Sequence, residues 1–258
     1  MPYEQITERC FASAIGPSGL AREEFDRVLA EAAPALDALR RAHDGRTMPL
    51  LALPARRDDL DPARRVAQRL AREAADVVVL GTGGSSLGGQ TLYALCDQGF
   101  GPKGGGARVR FHDNVDPATF EALTAALDPA KTAVIAISKS GTTAETLAQL
   151  LVLLAWARQG AGSAAGGRFV AITEAKPSPL RRLAEAHGMT VLDHDPQIGG
   201  RYSVLSNVGL LPAMVGGLDA QRVRLGASEV LKETLAARDP SESAPAVGAA
   251  LSVALTRY

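Results

Sequence analysis

The amino-acid sequence predicts an α/β fold: a three-layer αβα sandwich on a five-stranded parallel sheet, preceded and followed by helical segments. Three observations carry this prediction. From Asp76 onward, short apolar runs alternate five times with helix-period patterns, the rhythm of a parallel sheet covered on both faces. Each turn rich in glycine or hydroxyls falls at the carboxyl end of such a run, where sheets of this kind bind ligands. The flanking stretches show helical periodicity instead. The expected organisation is a helical extension over 1–75, a ligand-binding sheet domain over 76–217 and a helical start of a further domain over 218–258.

The elements follow in order. Residues 20–42 place Phe25, Val28, Leu29, Leu36 and Leu39 on one helical face, interrupted by Pro34. A loop rich in proline and arginine, 49–62, leads to a helix over about 62–75, with proline in its first turn. Residues 76–81, D-V-V-V-L-G, read as a buried strand, because an unbroken apolar run leaves no polar face. A glycine-rich turn and a helix through about Cys96 come next. The second strand spans 108–112, followed by the turn D-N-V-D-P and a helix to about Leu127. The third strand, 132–138, feeds a helix over 142–158, with Leu147, Leu150, Leu151 and Leu154 at i, i+3, i+4 and i+7. Trp156 and its leucine neighbours are expected in the core. After a low-complexity loop, 160–167, come a strand over 168–173, a helix over 178–187 and a short strand over 190–193. Helices are expected over 204–215, 219–236 and 246–258. The last reaches the final residue without a C-cap glycine or polar tail, as in a chain that continues.

Composition narrows the function classes. The chain has 258 residues, 46% of them hydrophobic, and its 28 basic side chains balance 28 acidic ones. That balance gives no electrostatic reason to expect nucleic acid or an anionic membrane as partner. Only five of the basic residues are lysine, so Lys139 stands out within its motif. Cys10 and Cys96 have neither metal-ligand spacing nor the density of a disulfide framework. No secretory signal or uninterrupted apolar run of ~18 residues is present. The expected location is the cytoplasm. His43, His112, His187 and His194 lack the mutual spacing of metal ligands and are expected at the surface or at helix ends.

Three turns carry chemistry. The first, residues 81–89, is G-T-G-G-S-S-L-G-G. Glycines permit positive φ and close backbone approach, and Ser85 or Ser86 can cap the next helix. A dinucleotide fingerprint would need glycine where Ser86 stands, and no Gly-Lys pair follows to make a Walker loop. The second, residues 137–146, is I-S-K-S-G-T-T-A-E-T, with four hydroxyls, a lysine and a glycine between strand and helix. Free N–H groups at a helix start attract anions, and hydroxyls add neutral donors. A capping box, with Thr142 as N-cap and Glu145 reaching back, accounts for part of this turn. It leaves Ser138, Lys139 and Ser140 unexplained. The third, residues 199–203, is G-G-R-Y-S. Its arginine is placed either to steady a developing oxyanion or simply on a flexible surface loop. Asn114 and Asp116 are turn residues before they are ligand contacts.

Together these turns resemble the glucose-6-phosphate isomerase family, within the sugar isomerase (SIS) domain superfamily. G-T-G-G-S-S-L-G is similar to the family's G-I-G-G-S-x-L-G, and S-K-S-G-T-T-A-E-T to its S-K-[TS]-x-T-T-x-E-T. G-G-R-Y-S matches G-G-R-[FY]-S, and order and spacing agree from Asp76 to Pro212. The resemblance implies an SIS domain and a hexose phosphate substrate. It implies aldose–ketose isomerisation of glucose 6-phosphate and fructose 6-phosphate through a cis-enediol, in glycolysis and gluconeogenesis. It implies no metal or nucleotide cofactor, and a homodimer at full length. By the same resemblance, Gly84 and Ser85 contact substrate, while Ser138, Lys139, Ser140 and Thr143 hold the phosphate, Lys139 through its backbone. Arg201 is the catalytic residue that stabilises the enediolate. Ser140 stands where many members carry threonine. Gly141 replaces a larger residue, which is expected to alter the loop little. The family's catalytic glutamate, ring-opening histidine and C-terminal lysine lie in a second half with no counterpart in 219–258. The chain is therefore expected to carry the phosphate-binding half and to be inactive alone. The alternatives are a non-catalytic sugar-phosphate sensor and a bifunctional glucose/mannose phosphate isomerase.

Overall fold

A computed structural model describes residues 3–97, 99, 101–102 and 106–257. In chain order, α1 (Ala12–Ile15), α2 (Arg22–Glu31), α3 (Ala33–Asp44) and α4 (Leu60–Glu73) precede β1 (Asp76–Leu80) and α5 (Leu87–Tyr93). Then come β2 (Arg108–His112), α6 (Pro117–Ala126), β3 (Thr132–Ile137), α7 (Ala144–Ala161), β4 (Phe169–Thr173), α8 (Pro179–Ala186) and β5 (Thr190–Asp193). The remaining helices are α9 (Asn207–Val215), α10 (Ala220–Ala236) and α11 (Ala244–Arg257). The chain forms two compact units: Arg56–Arg222, and the residues up to Ala55 together with those from Val223 onward.

In the larger unit all strand pairs are parallel and the order is β2-β1-β3-β4-β5. Side chains alternate across a strand, and the apolar runs serve both layers. Val77 and Val79 pack with Leu70, Tyr93 and Leu211 on one face. Val78 and Leu80 pack with Leu150, Leu153 and Leu180 on the other. All six residues of β3 are buried. This is the αβα sandwich and five-stranded parallel sheet that the sequence predicts. From β1 the chain steps outward to β2 and then returns past β1 to β3. That reversal opens a crevice beyond the carboxyl ends of β1 and β3.

Some boundaries differ for local reasons. Helix α4 packs beside α9 on the sheet through Ala67 and Leu70. Helix α9 starts at Asn207, later than the apolar pattern suggests, because the Ser206 side chain caps it by accepting from the Val208 N–H. Helix α5 ends at Tyr93, before Cys96. Helix α7 runs on to Ala161 through the expected loop, and a short 3-10 segment, Gly162–Arg168, leads into β4. On α7, Leu150, Leu153 and Leu154 are buried and Trp156 is half-buried, but Leu151 is exposed on the opposite side. Tyr258 lies outside the described residues.

In the other unit, Phe11, Leu20, Phe25 and Val28 pack with Ala250 and Ala254 of α11. Phe11 and Phe25 meet edge to face at 5.4 Å. Among the described residues, no helix is long and apolar enough to cross a membrane.

Candidate functional site

Three turns of the larger unit meet at the crevice. In the turn after β1, the glycines serve space rather than flexibility alone. A Cβ on Gly84 would lie 2.4 Å from the Gly200 carbonyl group and 2.8 Å from the Arg201 nitrogen. The first and third turns therefore touch backbone to backbone. Ser203 Oγ secures them, donating to the carbonyls of Gly200 (2.6 Å) and Gly84 (3.3 Å). Ser86 stands at the N-cap position of α5 but makes no side-chain cap. Its Oγ instead accepts from Gln90 Nε2 at 2.6 Å.

The turn after β3 corrects the expected capping box. Helix α7 begins at Ala144 with Thr143 at the N-cap position, and no side chain caps it. The hydroxyls bond to one another instead: Ser138 Oγ to Thr143 Oγ1 and Ser140 Oγ to Thr142 Oγ1, both at 2.8 Å. Ser138 Oγ also accepts from the Gly141 N–H (3.1 Å), and Ser140 Oγ accepts from the Thr142 N–H (3.2 Å). Glu145 is exposed. Helix-start N–H groups without side-chain caps are a natural seat for an anion.

Gly141 corrects a second expectation. Its φ is +69°, and a Cβ would lie 2.2 Å from Ser178 Oγ and 2.9 Å from Thr173 Oγ1. A larger residue does not fit this loop shape. Glycine is part of how the hydroxyls come to be arranged.

The two lateral charges behave differently. The Lys139 ammonium donates to the carbonyls of Pro196 (2.8 Å) and Ile198 (2.9 Å) and lies 3.8 Å from Glu174 Oε1. Arg201, by contrast, is exposed on the short 3-10 turn Gly200–Tyr202, and its guanidinium has no ion pair among the described residues.

Thr82, Gly84, Ser85, Lys139, Ser140, Thr143, Glu174, Gly200 and Arg201 line a cavity of about 390 Å³. The structure thus brings together six of the seven residues singled out in the sequence. Ser138 is buried behind the wall and bonds to Thr143. Thr82 and Gly200 belong to the first and third turns but were not assigned to the site, and Glu174 was not anticipated. Glu174 follows β4 directly, and its acid after a buried strand was the available signal. It ion-pairs with Lys176 as well as Lys139. The bond from Lys176, opposed by partial burial, holds the carboxyl below the ordinary carboxylate range.

Two histidines expected at the surface are buried. His112 ends β2 and packs edge to face on Phe120 at 4.9 Å. His194 follows β5 and its Nδ1 lies 2.9 Å from the Asp195 carbonyl oxygen. Burial lowers both pKa values. Strand-end positions that look solvent-facing by spacing are here closed over by helices and loops. No group of three or more His, Cys, Asp or Glu among the described residues is placed to hold a metal ion.

An uncapped helix start, paired hydroxyls and a guanidinium with no ion pair among the described residues thus meet at one cavity. The family description "Phosphoglucose isomerase" matches residues 67–257. The chain belongs to the phosphoglucose isomerase family. A glucose-6-phosphate isomerase of Rubrobacter xylanophilus is 37% identical over 77% of this chain and 47% of its own length. That of Thermus thermophilus is 38% identical over 71% of the chain and 42% of its own. The chain therefore spans about half the length of the curated relatives it matches. A crystal structure of a hypothetical protein, also from Thermus thermophilus, is 34% identical. It superposes with a TM-score of 0.77 over 89% of this chain and 55% of that one. A glucose-6-phosphate isomerase from Chlamydia trachomatis gives 0.62 at 26% identity, over 79% and 42%.

Proposed function

We propose that this chain carries the phosphate-binding half of an isomerase that interconverts glucose 6-phosphate and fructose 6-phosphate through a cis-enediol. The observation that supports this reading is the convergence of Gly84, Ser85, Lys139, Ser140, Thr143 and Arg201 on one cavity. In this reading the phosphate sits against Ser140, Thr143 and the first turn of α7. Ser138 holds Thr143 in place, and Gly84 and Ser85 face the sugar. Arg201, which has no ion pair among the described residues, is available to the negative charge that develops on the C1 and C2 oxygens as the enediolate forms.

The same cavity argues against turnover by this half alone. Moving a proton between C2 and C1 needs a base with a pKa near the working pH. The carboxylate in the lining is Glu174, which two lysines neutralise and hold in its low-pKa form. The base is to be sought in the half of the relatives that this chain does not span. Family membership favours the isomerase over a sugar-phosphate sensor.

Calorimetric titration with glucose 6-phosphate, fructose 6-phosphate and mannose 6-phosphate, beside a coupled isomerase assay, tests this reading. Binding without turnover is expected. Arg201→Ala should weaken binding roughly tenfold to hundredfold, the loss of one charge-assisted contact. Turnover by this chain would overturn the inactivity, and failure to bind any hexose phosphate would overturn the site. Equal binding of the mannose epimer would favour the bifunctional isomerase.

A further inference from the structure

A lysine in an anion pocket would be expected to face the anion, yet Lys139 does not. Its ammonium donates to the Pro196 and Ile198 carbonyls and lies 3.8 Å from Glu174 Oε1. Those carbonyls immediately precede the Gly199–Ser203 turn. Glu174 is well placed for this purpose. Its side chain is 10% exposed, and it is tied into the turn after β3, because its own N–H donates to the Lys139 carbonyl at 3.1 Å. Neighbouring bonds fix the start of the same segment. Arg56 Nη1 pairs with Asp195 at 3.1 Å, and Asn207 Nδ2 donates to the Asp193 carbonyl at 2.9 Å. The end is fixed by Ser203 and by contact with Gly84. Between them, Asp195 accepts from the Gln197 and Ile198 N–H groups, and the Lys139 ammonium bonds the carbonyls of residues 196 and 198.

We propose that Glu174 is a positioning residue: it pins the Lys139 ammonium to the Pro196 and Ile198 carbonyls, and so fixes the turn that presents Arg201. This rests on the sugar-phosphate reading of the cavity. Without the carboxylate, the ammonium keeps two carbonyl partners but loses the opposing charge that fixes it between them. The turn then loses firmness in its anchor at Pro196 and Ile198, the segment that leads into Gly199. Glu174 therefore separates the two cations by task, one to hold the loop and one left open to the reacting end of the sugar. Lys176 is more exposed and serves as the control, since its pairing with Glu174 does not reach the loop.

Two readouts test this. Hydrogen exchange of the unliganded chain should show amides of 197–203 exchanging about tenfold faster in Glu174→Gln, with those of 138–143 unchanged. Lys139→Met should produce the same loosening, and the double variant should add nothing further. Lys176→Ala should leave exchange at wild-type rates. In titrations, Glu174→Gln should weaken 6-phosphogluconate, whose carboxylate sits at the reacting end, about tenfold, and inorganic phosphate less than about twofold. Unchanged exchange at 197–203 would overturn the proposal, as would tighter binding of inorganic phosphate by Glu174→Gln. Additive effects of the two substitutions would overturn it as well. If the wild-type chain bound neither ligand, the sugar-phosphate reading would fail while exchange still decided the role of Glu174. Should Glu174→Gln unfold, Glu174→Asp, which withdraws the charge by one methylene, replaces it with the same readouts.

Discussion

The turns after β1 and β3 occupy equivalent places, each leading from a buried strand to a helix at the reversal of the sheet, and they are built by opposite means. The first is built on absence. Gly84 has no side chain because the backbone of Gly200 and Arg201 occupies that space. The second is built on mutual satisfaction. Ser138, Ser140, Thr142 and Thr143 pair with one another and leave the helix start uncapped. Only Gly141, pressed against Ser178, brings a steric demand into it. A loop can thus be fixed by what it excludes or by what it bonds, and the two kinds should fail differently when altered.

Gly84→Val should be the most damaging change, because its side chain meets backbone that cannot rotate away. We expect a loss of about 3 kcal/mol in chemical unfolding and no detectable hexose phosphate binding. Near-native binding would break the contrast. Gly141→Ala combines a positive φ with a clash against the buried Ser178 side chain, which can yield only by loosening its cap on α8. A loss of about 2 kcal/mol is expected in the same assay. Ser138→Ala probes the hydroxyl-built turn. It removes a buried acceptor and its partner's bond, at about 1 kcal/mol, and calorimetry should show weakened phosphate binding. Thr142→Ala, at an exposed pair, should change stability by less than about 0.5 kcal/mol. A larger cost there than at Ser138 would mean that the outer hydroxyl pair, not the buried one, holds the loop.

The smallest effect expected near neutrality is the pH response of His112 and His194. Both have folded pKa values below the ordinary 6.5. The unfolded chain then binds more protons than the folded one as pH falls below 6.5, so stability is complete above that value and declines toward the depressed values. Urea midpoints from about pH 7.5 down to about pH 5 measure this. His194→Gln should flatten the decline.

The central strands were legible because burial on both faces requires unbroken apolar runs, and the less buried β2 and β5 still have the expected limits. The three turns were legible because their residue types are costly without a purpose. What sequence could not disclose was pairing. The string T-T-A-E fits a capping box, but Thr143 turns to Ser138, a partner that the capping pattern does not include. Gly141 looked like a mild replacement until Ser178, far along the chain, was seen beside it. Glu174 was missed because an acid after a strand means nothing until Lys139 is brought next to it. The buried histidines were misjudged for the same reason: enclosure is a property of neighbours.

Because the cavity is assembled from Gly84, Lys139 and Arg201, on turns that follow different strands of one sheet, none of the three turns is a receptor in isolation. An anion that occupies it binds the folded sheet and not the open chain, so it shifts the folding equilibrium by mass action. The melting temperature should then climb with the logarithm of ligand concentration. Thermal denaturation would serve as an affinity assay that needs no turnover.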